Sequence, residues 1–261
     1  MSWEHIDVAR NEARLTLTLS RPERRNALSL DLMTEVTGAL RQVPDDVRVV
    51  VIAADGPAFS AGHDLAEMID RPETFYDELF AVCTEMMETV QSIPQPVIAR
   101  VHGVATAAGC QLVASCDLVV ASDEAWFGTP GVKIGLFCTT PAVPLVRAIG
   151  QKRAMEMLLT ARSVDAATAL SWGLVNQVVP PAELDAAVDG YVDAIVAFSG
   201  RVVGLGKEAF YRQASLSQTD AYRVAQPVMA DNAALADAQE GMTAFLEKRP
   251  PVWVDPGSQR P

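Results

Sequence analysis

The run VVVIAA at Val49–Ala54 places six apolar side chains in succession and is closed by the turn signal Asp55-Gly56-Pro57. Side chains of a strand point alternately to its two faces, so a strand with no polar position needs cover on both sides. That requirement selects a layered α/β arrangement. Nearby, Leu15, Leu17 and Leu19 alternate with Thr16, Thr18 and Ser20, the period of a strand with one wet face. Ser29 then precedes Leu32, Val36, Ala39, Leu40 and Val43 at three- and four-residue steps, which predicts a Ser29-capped helix closed by Pro44. PVIARVHG and DLVVAS read as further strands, with TAAGCQLVASC as helix between them. From Gln151 onward the pattern is mostly helical. KRAMEMLLTA is followed by a helix capped by Asp165 and stopped by Gly173, a short strand in LVNQVV, and three longer helices after Pro181. No Gly/Ser linker or charge block divides the halves, so the chain reads as one folding unit with an α/β body and a helical C-terminal part. The Pro-rich tail PPVWVDPGSQRP is expected to be extended.

With 261 residues, 49% of them hydrophobic, the chain is long enough to bury a large core, which excludes a disordered tail or a disulfide-stapled miniprotein. The formal net charge of −12 repels polyanions and argues against a nucleic-acid partner. An anionic small ligand therefore needs a local basic cluster, for which Arg21, Arg24 and Arg25, or Lys248 and Arg249, are available. Cys83, Cys110, Cys116 and Cys138 form no CxxC pair and have only three histidines to join them, which points away from a metal site or a disulfide framework and toward a reducing compartment. The N-terminal segment is polar and charged rather than signal-like, and VVVIAA is about a third of a membrane-spanning length. The expectation is a soluble, cytoplasmic protein with no membrane partner.

Few motifs carry chemistry. Gly204-Leu205-Gly206-Lys207-Glu208-Ala209 spells a dinucleotide fingerprint, but helix is predicted on both sides of it, whereas that fingerprint works only at the end of a strand. Two segments lack bulk at turns. In Val104–Gln111 a strand ends and a helix begins, and amides at a helix N-terminus suit a developing oxyanion. In Phe59–Leu65 the same lack of bulk surrounds Gly62, just beyond the buried strand. His5 and His102 have no carboxylate or serine at a telling spacing, whereas the position of His63 makes its backbone amide of interest.

These pieces resemble the enoyl-CoA hydratase/isomerase, or crotonase, superfamily. RPERRNAL, AFSAGHDL, GVATAAGCQLVASCDLVVAS, FGTPGVKIGL, GLVNQVV and DNAALADAQEGMTAFLEKRPPVW occur in family order and cover almost the whole chain. GHDL, TAAGCQLVASCD and TPGVKIGLFCTTP are most similar to the branch of hydratase-domain-containing paralogues that lacks both catalytic glutamates. The resemblance implies an α/β fold of ββα turns forming a spiral over residues 1–200, with a C-terminal helical trimerisation region over residues 201–261. It implies an acyl-CoA thioester as partner, coenzyme A entering as part of the substrate with no separate cofactor and no metal, and a homotrimer or dimer of trimers. The backbone N–H groups of His63 and Ala108 match the oxyanion hole. Arg24 and Arg25 match the turn that meets the coenzyme's phosphates, Ala61, Asp64 and Leu65 flank the pantetheine path, and Phe245 and Lys248 match C-terminal residues that reach the nucleotide.

The departures from the family pattern are as informative. Gln111 and Gly131 stand where hydratases carry the two glutamates that hold and activate water. A carboxamide has no useful basicity near neutral pH and a glycine has no side chain, so hydration is expected to be weak or altered. The alternative is a non-catalytic acyl-CoA binding or carrier protein. If the missing acids are the main deficit, Gln111→Glu with Gly131→Glu is expected to raise hydration. Asp117, in SCDLVV, is read as a structural cap.

Overall fold

The computed structural model describes residues 3–254. A hairpin of β1 (Ile6–Asn11) and β2 (Arg14–Leu19) leads to α1 (Leu30–Arg41), after which a β–β–α unit recurs. In the first unit β3 (Val49–Ala54) and β4 (Ala58–Ser60) pass through the single turn α2 (Leu65–Met68) to α3 (Glu73–Ser92). In the next, β5 (Val97–Val101) and β6 (Val104–Thr106) precede α4 (Ala108–Ser115), and in the third β7 (Leu118–Ser122) and β8 (Trp126–Gly128) precede α5 (Thr139–Ile149). Then follow α6 (Gln151–Thr160), β9 (Val164–Asp165), α7 (Ala166–Trp172), β10 (Gln177–Val179), α8 (Leu184–Val196), α9 (Gly200–Gln213), α10 (Gln218–Ala234) and α11 (Ala236–Glu247).

The first strand of each unit enters a six-stranded sheet of order β1-β2-β3-β5-β7-β10, and the second enters a four-stranded sheet of order β4-β6-β8-β9. Pairing is parallel from β2 to β10 and from β4 to β8, so the chain climbs one strand per turn, as a ββα spiral does. β3 is buried along its whole length. Val50 and Ile52 join the main core with Leu17 and Val97, while Val49 and Val51 face Leu184, Val188 and Val192 of α8. The apolar run is thus explained by cover on both faces. Nothing in the sequence pattern marks β1, because only Ile6 in it is buried and pairing with β2 defines it.

Local signals behave as their chemistry predicts. Ser29 Oγ accepts from Leu32 N at 3.2 Å and Asp165 Oδ1 from Thr168 N at 2.7 Å, while Gly173 ends α7 at φ 90°. The three long helices expected after Pro181 are four, because the chain turns at Leu235 (φ −64°, ψ 147°) between α10 and α11. Of the Pro-rich tail, residues 250–254 carry no helix or strand, and residues 255–261 lie outside the described residues.

The fingerprint-like GLGKEA lies inside α9 and serves packing. A Cβ on Gly204 would come within 2.9 Å of Pro94 Cβ. Lys207 Nζ donates to the carbonyls of Val90 (2.8 Å) and Gln95 (2.9 Å) and pairs with Asp117 at 2.7 Å. Asp117 also accepts from Val97 N (2.6 Å) and the Tyr211 hydroxyl (2.8 Å). The carboxylate at this helix-to-strand turn therefore ties α9 to the β5 edge. Burial lowers the Lys207 pKa, and the Asp117 charge opposes that shift.

Candidate active site

β4 and β6 are neighbours in the small sheet, so the loops that leave them lie side by side. In the first loop, Leu28 N donates to Gly62 O at 2.8 Å and Asp64 N to Leu28 O at 3.3 Å. This parallel bridge between Leu28 and His63 turns the His63 amide away from Leu28. In the second loop Ala108 opens α4, where a helix N–H has no acceptor within its own helix. Among the described residues neither the His63 nor the Ala108 amide donates to another backbone group. Gly62 sits at φ +90°, and a Cβ there would lie 2.8 Å from Ala107 Cβ and 3.3 Å from Ala108 N. Gly109 is equally confined, since its Cβ would meet Ser60 O at 2.5 Å. The two loops are in van der Waals contact only because these positions lack side chains. Ala107 takes φ 50° and ψ −120°, a region that costs a non-glycine residue about 1–3 kcal/mol.

Beneath the two amides lies a cavity of about 710 Å³. Ala61, His63, Ala107 and Ala108 line it together with the larger apolar residues Leu65, Met68, Phe80, Leu136 and Phe137. Its titratable wall residues are His63, Lys133 and Cys138, with no carboxylate among the described lining residues. Burial lowers the His63 pKa, partly offset by the contact with Leu28, so the ring is neutral near pH 7. Burial raises the Cys138 thiol, and pushes the Cys110 thiol behind it up to about 12. Among the described residues no cluster of three His, Cys, Asp or Glu suits a metal ion, and no helix is long and apolar enough to cross a membrane.

The structure brings some of the sequence candidates together and separates others. His63, Ala108, Ala61, Leu65 and Gly131 line the cavity. Arg24 and Arg25 are exposed on a turn whose Arg25 carbonyl accepts from Ala61 N at 3.0 Å, so they sit beside the rim with no ion pair among the described residues. That turn is pinned by buried Asn26, whose Nδ2 donates to Asp55 O (2.7 Å) and Ala58 O (2.8 Å). Arg21 is engaged elsewhere, with Asp64 at 3.4 Å and Ala27 O at 3.2 Å. Asp64 caps α2 through Ala66 N at 3.2 Å and is not a wall residue. Phe245 and Lys248, at the end of α11, are exposed and away from this cavity.

The two positions of the missing glutamates differ in kind. Gln111 is buried and off the cavity wall, its Oε1 only 3.9 Å from Cys83 Sγ. Gly131 is on the wall, but a Cβ there would lie 2.5 Å from Leu136 O and 2.8 Å from Cys138 Sγ. Its φ is not in the left-handed region, so space rather than backbone conformation fixes the glycine. Phe80 and Met68 were not legible as site residues, because both carry the ordinary apolar pattern of helices and only the packing of α3 brings Phe80 to the wall.

Fold and cavity together define an α/β spiral protein with two main-chain N–H groups beside a largely apolar cavity. The chain belongs to the enoyl-CoA hydratase/isomerase family, whose model matches residues 9–256. It is 47% identical over 255 residues to the human mitochondrial enoyl-CoA hydratase domain-containing protein 3, covering 97% of this chain and 82% of that one. The crystal structure of that human protein superposes with a TM-score of 0.93 at 44% identity, over 96% of this chain and 100% of that one. The crystal structure of an enoyl-CoA hydratase from Mycobacterium smegmatis gives a TM-score of 0.94 at 48% identity, over 96% and 99% of the two chains. The cytoplasmic expectation does not stand, because the mouse, rat, human and Xenopus laevis relatives are named as mitochondrial proteins. Its physical basis was too weak to discriminate: four buried free thiols fit any reducing compartment.

Proposed function

We propose that this protein binds an acyl-CoA thioester with the thioester oxygen between the amides of His63 and Ala108, and that its hydratase activity is weak or altered. The observation that carries this reading is the pair of unengaged amides set side by side above an apolar cavity. Such donors stabilise charge that develops on a carbonyl oxygen and require no side chain. Arg24 and Arg25, exposed beside the Ala61 rim with no ion pair among the described residues, would meet the coenzyme's phosphates. Coenzyme A enters with the substrate, and no other cofactor is needed. Phe245 and Lys248 would act from a neighbouring subunit of a homotrimer or dimer of trimers, since both are exposed on α11 and its cap.

Loss of one positioned acid or base costs about a hundred- to ten-thousand-fold in rate, so a wall without a carboxylate leaves little capacity to activate water. That same wall favours the second reading, a non-catalytic acyl-CoA binding or carrier protein. Loss of crotonyl-CoA absorbance with the purified protein separates them. Turnover within about a hundredfold of a typical 10 per second overturns the carrier reading. Absent turnover with tight thioester binding supports the carrier, and absent thioester binding overturns both.

A further inference from the structure

We infer that the His63 imidazole is a positioning residue: its Nδ1–H, bonded to the Leu28 carbonyl, fixes the orientation of the His63 main-chain amide toward the cavity. The inference rests on the acyl-CoA reading above and assigns a role to a wall side chain which that reading leaves idle.

The geometry starts with the Gly62–His63 peptide. Its carbonyl accepts from Leu28 N at 2.8 Å. In a trans peptide the N–H points opposite to the C=O, so the His63 N–H is directed away from Leu28. The peptide plane can nevertheless rotate, because Gly62 at φ +90° supplies a hinge without a side chain. What restrains the far end is a second attachment to the same residue. Leu28 O accepts from Asp64 N at 3.3 Å and from His63 Nδ1 at 3.3 Å, so Leu28 grips the loop on both sides of the amide. The ring is further held by an edge contact with Phe80 of α3, centroids 5.5 Å apart at 85°.

The protonation pattern favours positioning over direct proton transfer. A carbonyl only accepts, so Nδ1 carries the hydrogen and Nε2 holds the lone pair of the neutral ring. Nε2 is covered and has no partner among the described residues, so the one basic atom of the ring is not presented to a ligand. The available interaction is the Nδ1 tether, which acts on the ligand only through the backbone N–H of the same residue.

The test uses a chromophoric cinnamoyl-type CoA thioester, whose absorption moves to the red when its carbonyl is polarised. Wild type, His63→Phe and His63→Asn are compared by bound-state spectrum and by affinity. His63→Phe keeps a ring against Phe80 without a donor, whereas His63→Asn supplies an amide N–H at the place of Nδ1. The expected result is a red shift in wild type, most of it retained in His63→Asn and most of it lost in His63→Phe, with affinity reduced about tenfold or less. Equal shifts in wild type and His63→Phe overturn the inference while leaving the acyl-CoA reading intact. Equal loss in His63→Asn and His63→Phe also overturns it, because packing rather than the hydrogen bond is then responsible. Failure of wild type to bind the thioester, or to shift its spectrum, overturns the acyl-CoA reading and this inference with it. If His63→Phe does not fold, His63→Leu takes its place under the same outcomes.

Discussion

The most discriminating perturbation adds a single carbon at Gly131. The Cβ of Gly131→Ala would stand 2.5 Å from Leu136 O, 2.8 Å from Cys138 Sγ and 3.3 Å from Leu136 C. Two of those separations are shorter than real Cβ contacts, so something must move. The Leu136 carbonyl is not free to do so, because Leu136 N donates to Gly131 O at 3.0 Å and closes the turn between the two residues. Forcing extra atoms into such a site costs about 1–3 kcal/mol. For a chain of about this size each kcal/mol lowers Tm by roughly 2–4 °C, so Gly131→Ala should melt roughly 2–12 °C below wild type. Gly131→Glu adds a carboxyl group to the same crowded place and should melt lower still. Sequence reasoning alone leads one to expect that Gln111→Glu with Gly131→Glu restores hydration. The packing predicts the opposite, since one carboxylate starts off the cavity wall and the other displaces the segment that builds it. Calorimetry and crotonyl-CoA hydration on Gly131→Ala and the double variant decide the matter. A Gly131→Ala protein melting within about a degree of wild type, or a folded double variant hydrating a hundredfold faster than wild type, refutes the reasoning.

Four further outcomes follow from other parts of the molecule. Lys207→Met leaves the partly buried Asp117 without its cation and should lower unfolding free energy by about 1.5–3 kcal/mol in urea titration, so a loss under about 0.5 kcal/mol contradicts the latch. Ala107→Gly relieves about 1–3 kcal/mol of backbone strain against roughly 0.5–1 kcal/mol of added chain entropy, so its Tm should equal or exceed that of wild type, and a clear fall contradicts the strain. His63 has a folded-state pKa below its ordinary 6.5, so the unfolded chain binds the proton more readily. The stability advantage of wild type over His63→Phe should therefore be flat above pH 6.5 and shrink as the pH falls toward and through the folded-state value, whereas a pH-independent difference between pH 5 and 8 refutes a desolvated, neutral ring. Finally, Cys138 should react with a thiol reagent before Cys83 and Cys110, whose thiols are pushed up to about 12, and acyl-CoA should slow that reaction; prior labelling of Cys83 or Cys110 refutes the placement.

What the sequence reveals is what depends on a few neighbouring residues. The double-sided burial of β3, the Ser29 and Asp165 caps and the Gly173 stop follow from side chains adjacent to the feature they control. The three-residue strands β4, β6 and β8 leave no periodicity to read, and exist because each pairs with its neighbour in the next turn. At the site, lack of bulk around Gly62 and Gly109 identifies both loops, because close approach forbids side chains there. The same logic cannot tell which arginines of the Arg21–Arg25 turn are free, since Asp64, which engages Arg21, comes from a distant segment. Nor can it tell that Gln111 faces Cys83 of α3 rather than the cavity, because that depends on how two helices pack.

The His63 and Ala108 donors beside the cavity are atoms of the peptide chain, supplied by successive turns of the spiral. No exchange of side chain other than to proline deletes such a donor. If these amides hold a ligand as proposed, most reactive groups on the walls can be lost or installed without deleting either donor, the His63 tether being the one wall side chain on which their aim depends.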